Sequence, residues 1–101
     1  MRLDWYKGKY KKGELSVWIV ENHFVDFGEI CAITVIAPNK KAAITFGASQ
    51  IDTEKNPTWS ANHGNWWNRD AEPRAILKCH KIREAPRATK LRVIKKDRLP
   101  N

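Results

Sequence analysis

Two stretches of this 101-residue chain are defined by the charge they lack. From Glu14 to Ile36 there is no Lys or Arg, only Glu14, Glu21, Asp26 and Glu29. From Pro73 to Asn101 acid is almost gone: Glu84 and Asp97 stand against ten Lys or Arg. That excess of eight equals the +8 of the whole chain. Cysteine is scarce too. Cys31 and Cys79 form no CxxC, and with His23, His63 and His80 they match no zinc-ligand spacing, so neither a metal nor a cofactor is expected. Long hydrophobic runs are missing as well. The longest, Ile30 to Ala37, falls far short of the ~20 residues a membrane span requires. No apolar signal-peptide core follows Met1, so the expected setting is cytoplasmic and reducing, with no membrane partner. Cys31, inside the apolar run, is expected to be a buried thiol.

What is present suits a globular chain: 42% hydrophobic and 10% aromatic residues argue against wholesale disorder. The length predicts one domain over residues 1–101, with a small core. Residues 1–13 carry five basic residues among Trp5, Tyr6 and Tyr10, and read as a basic arm or an edge strand. Leu15 to Glu21 is short and β-branched, and predicts a strand. Glu29 to Ala37 is apolar on both faces and predicts a central strand. Pro38 to Lys41 reads as a turn, and Ala42 to Ala48 as a returning third strand, making a hairpin of residues 29–48.

From Ser49 to Arg69 the periodicity dissolves into turn formers, yet three of the five Trp residues sit there. So long a loop in so small a domain points to function. Asp70 to Ala85 reads as a helix near 71–85, with Asp70 as N-cap and Pro86 as stop, and a basic stripe of Arg74, Lys78 and Lys81. A strand over 74–82 is the competing reading. Lys90 to Ile94 alternates basic and apolar residues and predicts an edge strand, and residues 95–101 a basic tail. The fold class is therefore α+β, an antiparallel sheet of three to five strands with one helix and a Trp-rich loop. The rival is an all-β small barrel.

Basic residues beside aromatics suit a polyanion with stackable bases. The candidate contacts are Trp59, Trp66, Trp67, Arg69, Arg74, Lys78, Lys81, Arg87, Lys90, Arg92, Lys95 and Lys96. Each also has a plainer reading: the charges as a solvated surface, the indoles as plugs beneath the loop. The leading expectation is a non-enzymatic nucleic-acid-binding protein, with single-stranded DNA or RNA favoured because stacking needs unpaired bases. A second is a small inhibitor or adaptor, of phage or viral type, that binds an acidic protein partner through the Trp loop. A third is a metal-dependent nuclease with His63 as general base, resting on turn-prone Asn residues without specific spacing. The acidic residues of the first half could form one negative rim, which would invite head-to-tail homo-oligomers.

Overall fold

The computed structural model describes residues 9–59 and 77–100. Among these residues four strands and one helix follow in the order β1 (Ser16–Asn22), β2 (Ile30–Ala37), α1 (Lys40–Ser49), β3 (Leu77–Glu84) and β4 (Arg92–Arg98). A 3-10 turn, Pro57–Trp59, follows α1. The sheet order is β3-β1-β2-β4, and every neighbouring pair is antiparallel. This is the α+β plan. The sheet is open, with β3 and β4 at its edges, so the barrel alternative does not hold.

β1 and β2 form the centre because they can be buried on both sides. Seven of the eight β2 residues are buried. The two strands meet in a tight turn at the Phe24–Glu29 end. There Gly28 takes φ +86°, a conformation that favours glycine. Its N–H donates to Leu99 O at 2.8 Å, and Leu99 N–H returns a bond to Glu29 O at 2.8 Å.

Two expected elements change identity. Residues 42–48 are helix, not strand, so the 29–48 hairpin gives way to the β1–β2 hairpin. A short segment that is apolar throughout fits either period, and its flanks decide. Asn39 caps α1, its side chain accepting from Ala42 N–H at 2.8 Å. Ala42, Ala43 and Phe46 then turn one face onto the sheet. Gly47 permits close approach: a Cβ there would lie 3.1 Å from Ile33 Cγ2 and 3.4 Å from Val20 Cγ2.

Within the helix expected near 71–85, residues 77–84 are instead the strand β3, paired with β1 along its length. Leu77 and Cys79 alternate toward the helix side while Lys78 and His80 face away. Pairing with β1 satisfies the backbone and overrides local propensity. The Arg74–Lys78–Lys81 stripe does not form on it: Lys78 and Lys81 project from opposite faces, opposite Glu21 and Trp18. β4 is the expected edge strand, but it begins two residues later and ends four residues later than expected, taking in Lys95 and Lys96, which are strand residues and not tail.

The core gathers Leu15, Val20, Ile33, Val35, Phe46 and Ile51 around the α1–sheet contact. Trp18 is partly buried, and its indole N–H donates to Ala37 O at 3.0 Å. Both thiols are free; Cys79 is the buried one, and Cys31 is half-buried beside Asp97 O. No helix of the described residues is long and apolar enough to cross a membrane.

Candidate nucleic-acid interface

Because β3 and β4 lie at opposite edges, the segment joining them must cross the ends of β1 and β2. Three interstrand spacings of about 4.8 Å make this a span of roughly 14 Å. Residues 85–91 make the crossing as an arch. It is anchored by Ala85 N–H to Leu15 O at 3.0 Å, Ala88 N–H to Ala85 O at 3.1 Å and Tyr10 N–H to Thr89 O at 2.7 Å.

Under the arch lies a groove of about 550 Å³, on the sheet face turned away from α1. Its floor is Val17, Ile36 and Ile94, and its rim carries Arg83, Arg87, Lys90 and Arg92. The register explains the arrangement. Arg83 pairs with Val17, Val17 with Ile36, and Ile36 with Arg92, so one rung of the sheet reads arginine, valine, isoleucine, arginine.

Both arginines reach this face through irregularities in the edge strands. Trp18 pairs with Lys81 and Val17 with Arg83, which leaves Ile82 as an extra residue in β3. Thr34 pairs with Lys95 and Val35 with Val93, which leaves Ile94 extra in β4. One inserted residue reverses the alternation of everything beyond it, so Arg83 and Arg92 turn outward together.

The electrostatics of the groove are one-sided. None of the four rim cations is paired with a carboxylate among the described residues. The lining's one carboxylate, Glu84, is engaged elsewhere: it is bound by the Lys81 ammonium and by Ser16 Oγ at 3.1 Å, which hold its pKa below the ordinary value.

Of the expected contacts, Arg87, Lys90 and Arg92 come together here. Lys81 is committed to Glu84, Lys95 lies 3.8 Å from Asp97, and Lys96 donates to Gln50 O at 2.9 Å. Lys78 stands at the far end of β3, opposite Glu21. Trp59 is withheld from any ligand. It is 6% exposed, and its indole N–H donates to Ile30 O at 2.7 Å. Trp66, Trp67, Arg69, Arg74 and His63 lie outside the described residues.

Arg83 and the aliphatic floor were missed by sequence reasoning. The pairing of β3 with β1 would have exposed both, but a helix reading of residues 71–85 hides it. The acidic rim does not assemble either. Glu14 accepts from Lys11 N–H near the arch, whereas Glu29 is buried at the other end of β2, accepting from Thr58 Oγ1 at 3.0 Å. Among the described residues no three His, Cys, Asp or Glu side chains gather to hold a metal ion. Comparison with family models, curated proteins and solved structures finds no match.

Proposed function

We propose that this chain is a non-enzymatic nucleic-acid-binding protein that holds single-stranded DNA or RNA at the arch groove. One observation carries the reading: four cations without carboxylate partners among the described residues rim an aliphatic floor. The cations suit phosphates, and the exposed Ile94 beside the buried Val17 and Ile36 offers apolar surface to a base. Arg83, Arg87 and Arg92 can each present a planar fork to phosphate oxygens, and Lys90 a point charge. Duplex is disfavoured, because its bases are stacked on each other and cannot reach the floor.

The test is fluorescence anisotropy with labelled single-stranded DNA, RNA and duplex DNA. Single strands should bind more tightly than duplex. With four phosphate contacts their affinity should fall roughly 50-fold as salt rises from about 50 to 200 mM. Affinity indifferent to salt, or no binding to any of the three, overturns the proposal.

A second reading, docking to a protein partner, draws on the β1–β2 turn. Phe27 is 76% exposed there, on a backbone held by the Gly28–Leu99 and Glu29–Leu99 bonds, and exposed rigid aromatics are common interface anchors. A partner retained by the wild-type protein from nuclease-treated lysate, and lost with Phe27→Ala, would favour it.

A further inference from the structure

The groove's size and charge say more than that a polyanion fits, and this step rests on the nucleic-acid reading above. We infer that the arch groove is a pocket for a single nucleotide bearing a terminal phosphate, so that the protein holds the phosphorylated end of a strand and not its middle.

Three observations lead there. The groove, about 550 Å³ and open to solvent, lies within the range of roughly 300–1,000 Å³ typical of sites for compact ligands. The arch walls the groove on one side, with Ala85, Pro86, Ala88 and Thr89 in the lining beside the rim cations. The charge count is the third. An internal nucleotide brings one diester charge on either side, whereas a phosphate monoester alone carries about −1.5 to −2 at neutral pH, and its own diester link adds one more. Four rim cations, with Glu84 already bound by Lys81 and Ser16, match the terminal nucleotide better.

The floor adds a prediction about base identity. Ile94, 38% exposed, is the floor residue a base can rest on, since Val17 and Ile36 beneath it are buried, and its side chain presents only aliphatic carbon. The pocket should therefore read the phosphate and the ring's flat face, with little preference among bases.

A free nucleotide offers the same chemistry as a strand end, and the experiment separates them. Binding is measured for one oligonucleotide sequence in three forms: 5′-phosphorylated, 5′-hydroxyl and circular. Free nucleoside mono- and diphosphates serve as competitors. A 5′-phosphorylated strand that binds at least tenfold tighter than the other two supports the inference. The preference should vanish in Arg87→Ala/Lys90→Ala, whose folding is checked by circular dichroism. Free nucleotides that compete as well as the phosphorylated strand also support it, and identify the free nucleotide as the ligand. Equal affinity for all three forms, with no competition from nucleotides, overturns it while leaving the nucleic-acid reading intact. Absence of binding to every strand and nucleotide removes both.

Discussion

Arg83 and Arg92 stand at opposite ends of one rung of the sheet, with Val17 and Ile36 between them. Each reaches that rung because its strand carries one extra residue, Ile82 in β3 and Ile94 in β4. At roughly 14 Å apart, further than the ~8 Å Debye length at physiological salt, the two charges repel each other weakly. They can therefore share a face at little cost in stability, and a ligand between them meets positive charge from both sides.

Removing either arginine should weaken binding without unfolding the protein. Arg83→Ala and Arg92→Ala are each expected to lower affinity for single strands and to reduce the slope of log K against log salt by about 1. Melting temperatures should stay close to wild type, since both side chains project from edge strands. Salt titrations of the two variants beside wild type check this; an unchanged slope in both would place the phosphate contacts elsewhere.

Trp59 should behave as a structural residue. Trp59→Phe keeps most of the ring but leaves Ile30 O without its indole donor, a loss expected to cost about 1 kcal/mol. Trp59→Ala should cost about 3–5 kcal/mol, the usual range for emptying a large aromatic site. Urea denaturation gives both values. Nucleic-acid affinity of Trp59→Phe should match wild type, and a large loss would return the indole to the binding surface.

Gly47 sets the distance between α1 and the sheet. Alanine is the better helix former by about 1 kcal/mol, but its Cβ would meet Ile33 and Val20, both fully buried, which would have to shift within a close-packed core. Overpacking typically costs about 1–3 kcal/mol, so Gly47→Ala should be destabilising on balance. A higher urea midpoint for this variant would contradict the tight contact.

The two thiols should differ in reactivity. Burial raises the Cys79 pKa from 9.0 to about 11, so alkylation of the native protein at pH 8 should label Cys31 first, which mass spectrometry reads directly. The stability consequence has a definite sign. Between pH 9 and 11 the thiol ionises in the unfolded chain but stays protonated in the folded one. The unfolded state then binds fewer protons, so stability falls as pH rises through this window. Replacing Cys79 with alanine should flatten that part of the pH profile relative to wild type.

Much of the centre of the fold was legible in the chain. The β-branched runs around Val17–Val20 and Ile30–Ala37 are apolar enough to form strands wherever they are placed, and they pair as the core hairpin. The edges were harder. Leu77–Glu84 mixes basic, apolar and acidic residues with no clean period, and a helix reading gave its lysines a tidy stripe. Its strand identity comes from β1, whose edge away from β2 offers a register partner at each residue from Ser16 to Asn22. Likewise Ala42–Ala48 carries no periodic signal, and the Asn39 cap with the slot at Gly47 makes it a helix.

The same division holds for the candidate site. Composition alone determined that the C-terminal third is strongly basic, because charge counts do not depend on conformation. Which of those charges act together was decided by tertiary structure. Lys81 is spent on Glu84, Lys96 donates to Gln50 O, and Trp59 is turned into the core. Arg83, Arg87, Lys90 and Arg92 converge because the arch crosses the sheet and two single-residue insertions reverse the alternation on both edges. A reversal of that kind depends on which residue pairs across the strand. Pairing is a property of two distant segments at once, so no window of sequence contains it.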